Sequence, residues 1–229
     1  MDYQSAWTLQ ERLLQENVLL KTAHKDAAAT QPPPTKHHLL FVEHPPVYTL
    51  GKSGHEENIL ISESERLRRN IAYFKTNRGG DITFHGPGQL VGYPILDLEK
   101  YYTDIGKYLR NLEQVIIDTL AFYGIKGARS AGETGVWLDP DIKGRERKIC
   151  AMGVRCSRWI TMHGFALNVN TDLDYFSHIV PCGIADKQVT SIAAELGADA
   201  DMQLLKTNVQ RAFENVFQAE LVTSFVHSS

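Results

Sequence analysis

No stretch of about eighteen apolar residues occurs in this chain, so no segment is expected to cross a membrane as a helix. The start, Met1-Asp2-Tyr3-Gln4, lacks the cationic and apolar regions of a secretory leader and the Arg-rich pattern of a transit peptide, and a cytoplasmic location is expected. Cysteine is scarce. Three thiols without framework spacing exclude a disulfide scaffold and fit reduced side chains. There is no Cys-x-x-Cys pair, and Cys150 and Cys156 have no histidine at metal-site spacing, so no metal is expected. Basic residues are not in excess: the formal net charge is −3, which gives no footprint for nucleic acid. Nucleotide loops are incomplete. Gly51-Lys52-Ser53 looks like the end of a phosphate loop, but position 46 is Pro where that loop needs Gly, and Gly86-Pro87-Gly88 fails the dinucleotide fingerprint. Repeats and low-complexity tracts are absent.

What is present suits one domain spanning 1–229, with 43% hydrophobic residues to supply a core. Apolar spacing predicts an amphipathic helix over 5–24, and Gln31-Pro32-Pro33-Pro34-Thr35 reads as a stiff excursion within the domain. Strands are expected at 39–43 and 47–50, separated by His44-Pro45-Pro46, whose prolines cannot donate to a ladder. A short helix at 63–70 and strands at 71–76 and 90–98 follow, with Pro94 pointing to an edge or a bulge. The clearest helix runs over 104–123, with Gly124 as its C-terminal cap. Strands at 135–138, 148–155 and 165–169, an exposed loop at 140–147, a short helix near Ser191 and a helix at 202–220 complete the reading. Strands and helices mix without regular βαβ alternation, which favours α+β.

The densest chemistry lies in Arg78-Gly79-Gly80-Asp81-Ile82-Thr83-Phe84-His85-Gly86-Pro87-Gly88-Gln89. Four glycines let bare backbone approach a ligand, and Arg78, Thr83, His85 and Gln89 add side chains that orient it. An ordinary long turn is the competing reading. Cys182 sits in Val180-Pro181-Cys182-Gly183-Ile184, a constrained turn, and is the best nucleophile candidate among the thiols. A buried structural cysteine is the alternative. Lys148 opens the segment Lys148-Ile149-Cys150-Ala151-Met152-Gly153. It reads either as a solvated edge residue or as a cation that stabilises a thiolate in a cleft. Strand alternation puts Lys148, Cys150 and Met152 on one face. His85 and His163 are candidate acids, bases or donors, each with a purely structural alternative; His44 is weaker, and His37-His38 reads as a solvated pair.

Five segments in order then resemble the lipoyl(octanoyl) transferase family of lipoic acid synthesis. They are 44–51, 78–89, 148–155, His163-Gly164-Phe165-Ala166-Leu167-Asn168, and Pro181-Cys182-Gly183-Ile184 with Val189-Thr190-Ser191. The resemblance implies an α+β fold, a mixed or antiparallel sheet flanked by helices, shared with biotin and lipoate protein ligases. It implies that Cys182 is the acyl-thioester nucleophile and that Lys148 lowers its pKa. It implies acyl-binding walls from Arg78, Gly79, Gly80, Asp81, Ile82, Thr83, Phe84 and His85, from Ala151, Met152 and Gly153, and from Gly164, Phe165 and Ala166. Phe84, Met152 and Phe165 would narrow the channel, and His85 or His163 would assist backbone N–H groups at the oxyanion. The implied partners are octanoyl-acyl carrier protein, the lipoyl domains of 2-oxoacid dehydrogenases and the glycine cleavage H protein, with no resident cofactor, no ATP, and a monomeric enzyme. Two features depart from the family: Cys150 stands where a small residue is usual, so a second thiol near the site is expected, and the 140–147 loop is long. An ATP-dependent ligase, a carrier-binding module and a Cys–His hydrolase are the competing readings. Pro181-Cys182-Gly183 argues against the first, the presence of both Cys182 and Lys148 against the second, and the need to exclude water against the last.

Overall fold

The computed structural model describes residues 1–26, 31–180 and 188–222. Its architecture is built on two strands buried along their whole length, β5 (Gln89–Ile95) and β8 (Ile160–Asn168). They sit inside a six-stranded sheet whose path is β1 (His38–Val42), β5, β8, β7 (Arg147–Ser157), β6 (Val136–Leu138), each neighbour antiparallel. The sixth strand, β9 (Gln188–Val189), adds in parallel to the first two residues of β7. β6 pairs with β7 only as far as Cys150, so beyond that residue one side of β7 has no strand beside it among the described residues.

Helices cover both faces of this sheet. α1 (Tyr3–Asp26) lies on one face: Leu13 and Leu14 pack on Ile95, Ile160 and Met162, and Ala6 packs on Val91, Tyr93 and Ala166. On the other face, α3 (Ile105–Ala121) and α5 (Met202–Phe217) close the main core through Leu112, Val115, Ile116, Val209 and Phe213. α3 begins where the Asp104 carboxylate accepts from the Lys107 N–H (2.9 Å). It ends before Gly124, which takes φ +69°. α4 (Ile192–Leu196) is capped by the Ser191 hydroxyl, as the short helix near Ser191 predicts.

A second, three-stranded sheet comprises β3 (Ala72–Lys75), β2 (Val47–Leu50) and β4 (Ile82–His85), with α2 (Glu63–Arg68) beside it. It has its own core of Tyr48, Leu50, Ile61, Ile71, Ile82, Phe84 and Ile179. The expectation of one continuous loop over 78–89 is therefore corrected. The glycines form two turns, and the β-branched and aromatic residues between them make a strand. Pro94 also departs from an edge position, since β5 is an inner strand. The proline is tolerated because the β5–β8 ladder stops at Gly92 opposite Phe165. The Thr161 hydroxyl replaces the missing ladder bonds, accepting from the Leu96 N–H (3.0 Å) and donating to the Pro94 carbonyl (2.8 Å).

Candidate active site

A cavity of about 560 Å³ lies where the two sheets meet the open edge of β7. That is a small-molecule volume, and the walls are largely apolar. The Arg78-Gly79-Gly80 turn docks on the edge itself, the Gly79 N–H donating to the Val154 carbonyl (2.9 Å). The approach is so close that a Cβ on Gly153 would lie 2.6 Å from the Gly79 oxygen. Gly80 holds φ +85°, which favours glycine. Arg78 braces this turn from within: its guanidinium donates to the carbonyls of Thr49 (2.5 Å), Asp81 (2.7 Å) and Gly79 (2.9 Å). The Asp81 carboxylate accepts from the Ile82 N–H (2.6 Å) and from Asn58 Nδ2 (2.8 Å).

Of the expected walls, Arg78, Gly79, Gly80, Asp81, Ile82, Thr83 and His85 line the cavity, as do Ala151, Met152, Gly153, Gly164, Phe165 and Ala166. Phe84 is not a wall. It turns into the second core and stacks on Tyr175 with centroids 4.4 Å apart, because alternation along β4 sends Thr83 and His85 one way and Phe84 the other. Walls that sequence reasoning missed come from Tyr3 of α1 and from Ile105 and Leu109 of α3. The last two were visible as part of that helix's apolar stripe, and nothing in the stripe separated cavity from core.

The two histidines are neutral, and hydrogen-bond partners settle their tautomers. Gln89 Nε2 donates to the Phe84 carbonyl and to Asn168 Oδ1, so its oxygen is the acceptor for His85 Nδ1–H (2.8 Å). His85 Nε2 accepts from the Thr49 hydroxyl (3.2 Å). Burial, with the nearby His44 and Arg78 charges, holds His85 well below the usual imidazole range. Asn77 Nδ2 donates to Glu11, so Asn77 Oδ1 accepts from His163 Nε2–H (2.7 Å). His163 Nδ1 is then a bare, buried acceptor. Burial and the charges of Arg78 and Arg155 push the His163 pKa down to about 3. In this network the ring N–H of each is engaged, His85 with Gln89 and His163 with Asn77. His163 also has φ +58°, and its backbone N–H donates to Gln10 of α1 (2.8 Å). His44 is likewise buried, bonded to the Tyr93 hydroxyl (2.8 Å) and the Met1 carbonyl (2.9 Å).

Lys148 lines the cavity at the point where β6 and β9 flank β7, opposite Trp137 on one side and Val189 on the other. Its ammonium sits 4.6 Å from the centre of the Trp137 ring, whose face attracts a cation. Beside it runs the 129–135 segment, which supplies Gly132, Glu133 and Thr134 to the wall. This segment is anchored by Glu113, a fully buried carboxylate on α3. Glu113 accepts from the Gly135 N–H (3.0 Å) and Arg129 Nε (3.0 Å) and forms an ion pair with Arg110 Nη1 (2.8 Å). The legible signal for Glu113 was an acidic residue set within the apolar stripe of an amphipathic helix.

Cys150 is not on the cavity wall. It is fully buried in the main core, and burial pushes its thiol far above the ordinary range. Strict alternation fails because the β6–β7 register shifts between Val136 and Trp137, directly opposite the Lys148–Cys150 stretch. Cys150→Ala is therefore expected to leave transfer rates and chain-length preference unchanged while costing about 1 kcal/mol of stability from the lost core volume. Steady-state rates and urea denaturation check the two halves of that statement. Pro181, Cys182 and Gly183 lie outside the described residues. The chain is held up to Val180, whose N–H donates to the Asn58 carbonyl (2.8 Å), and again from Gln188, whose N–H donates to the Glu146 carbonyl (3.2 Å). Gln188 and Val189 line the cavity. Among the described residues no cluster of three His, Cys, Asp or Glu side chains forms a metal site, and no helix is long and apolar enough to cross a membrane.

Comparison with known proteins places this arrangement. The sequence profile of the lipoyl protein ligase A/B catalytic domain matches residues 2–214. Octanoyltransferases of Christiangramia forsetii and Flavobacterium johnsoniae are each 56% identical to this chain, over 96% of it and over 93% and 94% of their own lengths. That of Solibacter usitatus is 50% identical over 97% of this chain and 91% of its own. A bipartite lipoate protein ligase from Thermoplasma acidophilum has the same fold, with a TM-score of 0.68 at 17% identity over 93% of this chain and 84% of its own. The chain belongs to the lipoyl protein ligase A/B catalytic family, among its octanoyltransferases, and is an acyltransferase.

Proposed function

We propose that the protein transfers an octanoyl group from the phosphopantetheine thioester of acyl carrier protein, through a Cys182 acyl-enzyme, to the lysine of a lipoyl domain. The reading is carried by one observation: a largely apolar cavity of about 560 Å³ with a lysine, Lys148, in its wall, paired with Val189 of the strand that follows the Pro181-Cys182-Gly183 segment in sequence. Lys148 as ammonium favours the Cys182 thiolate, which attacks the thioester carbonyl. The carrier thiolate leaves and takes the Lys148 proton. The acceptor lysine enters as a neutral amine and attacks the acyl-enzyme. Neutral Lys148 accepts its proton as the amide forms, and Cys182 leaves as thiolate, which restores the starting pair. Backbone N–H groups serve the oxyanion, since the ring donors of His85 and His163 are engaged elsewhere. Thioester exchange is nearly balanced in energy and amide formation is downhill, so neither ATP nor a resident cofactor is needed.

The apolar walls serve the chain rather than the chemistry. Glu113, by anchoring the 129–135 segment, keeps one wall closed beside Lys148. Intact-mass spectrometry after incubation with octanoyl-acyl carrier protein, without ATP, tests the proposal. The expected product is a single octanoyl adduct that disappears on addition of a lipoyl domain. Dependence of acyl loading on ATP would assign a ligase instead.

A further inference from the structure

Behind one cavity wall, Phe165, stands a glycine that the site does not otherwise account for. Gly92 lies on β5 directly opposite Phe165 of β8. A Cβ built on Gly92 would lie 2.1 Å from Cζ and 2.4 Å from Cε1 of Phe165. The ring therefore occupies the space where a side chain at position 92 would stand. Phe165 is 2% exposed and lines the cavity, and on its other side its strand partner is Met152 of β7, a second cavity wall. The neighbouring Gly164 is equally constrained, its absent Cβ falling 2.2 Å from the Gly92 carbonyl oxygen. β8 thus lies tight against β5, and the space the Phe165 ring fills is the space that a side chain at 92 would take. Gly92 has no ordinary backbone reason to be glycine, since its φ is not in the left-handed region. The space taken by the ring is the reason.

We propose that Gly92 determines the acyl chain length the enzyme accepts, by letting the Phe165 ring lie against β5 and clear of the channel. The inference rests on the acyl-transfer reading above. A methyl at position 92 cannot coexist with the present ring position. Close packing on β5 leaves the ring to move toward β7, where Met152 forms the facing wall, and the channel narrows between them. Removing the ring has the opposite effect and lengthens the space.

The test is competitive loading of wild type, Gly92→Ala and Phe165→Leu with an equimolar mixture of hexanoyl-, octanoyl- and decanoyl-acyl carrier protein. Intact mass reports the adducts, and melting temperature reports the fold. Gly92→Ala is expected to lower the octanoyl-to-hexanoyl ratio by roughly tenfold, the discrimination that one or two methylenes support in an apolar pocket. Phe165→Leu is expected to raise the decanoyl-to-octanoyl ratio. A folded Gly92→Ala with the wild-type ratio overturns the proposal. If Gly92→Ala does not fold, Phe165→Leu decides alone, and an unchanged decanoyl ratio overturns it. A wild type that loads no chain of any length overturns the acyl-transfer reading itself, a result distinct from unchanged ratios in enzymes that load.

Discussion

Cys182→Ser is expected to lose acyl loading and transfer by about a thousandfold or more, because a serine hydroxyl beside a lysine ammonium has no base to activate it. The structure sharpens this expectation by what it says of the other thiols. Cys150 is fully buried, with its thiol pushed far up, and Cys156 is half-buried with its thiol also raised by burial. Both environments oppose the thiolate that the reaction needs. Neither described thiol lines the cavity, and Cys182 lies outside the described residues. Mass mapping of the octanoylated peptide is the deciding measurement. An adduct on Cys150 or Cys156, or near wild-type turnover in Cys182→Ser, would remove Cys182 from the chemistry.

Lys148→Ala is the second large effect. Loss of the cation is expected to raise the pH midpoint of Cys182 alkylation by about one unit or more. Turnover is expected to fall by roughly 10²–10⁴-fold, because the proton relay goes with it. Lys148→Arg separates the two contributions. Arginine keeps a charge beside Trp137 but cannot accept a proton, so alkylation is expected to return toward the wild-type profile while transfer to the lipoyl lysine stays low. An alkylation profile unmoved in Lys148→Ala would show that the cation does not act on the thiol.

Much of this site was legible because its residues are ones whose alternatives fail locally. A turn holding Gly79 and Gly80 beside Arg78 announces close backbone packing, and the structure shows the partner, the Val154 carbonyl on an open strand edge. The helices over 5–24 and 104–123 followed from apolar spacing and caps, and differ from α1 and α3 by one to two residues at each end. The strand at 82–85 was hidden because four residues between glycine turns carry too short a pattern to separate from a loop. The place of Cys150 was hidden because a bulge is a property of two strands, and the shift at Val136 and Trp137 cannot be seen from β7 alone. The histidine tautomers depended on Asn77, Glu11 and Gln89, residues near in space and far apart in sequence. No single-chain pattern encodes such a network.

The cavity lies on the seam between two separately packed cores, with Ile82 from the small one and Phe165 from the large one both in its walls. An acyl chain seated there acts as mortar. It fills the joint and adds apolar contact to both sides at once, so the smaller sheet gains more from it in proportion to its size. In the empty enzyme the amides of Tyr48, Thr49 and Phe84 are expected to exchange with solvent deuterium sooner than those of Leu90 and Leu167, and octanoylation is expected to close most of that gap. Equal exchange in the two sheets before loading would mean that the seam is already as tight as the cores it joins.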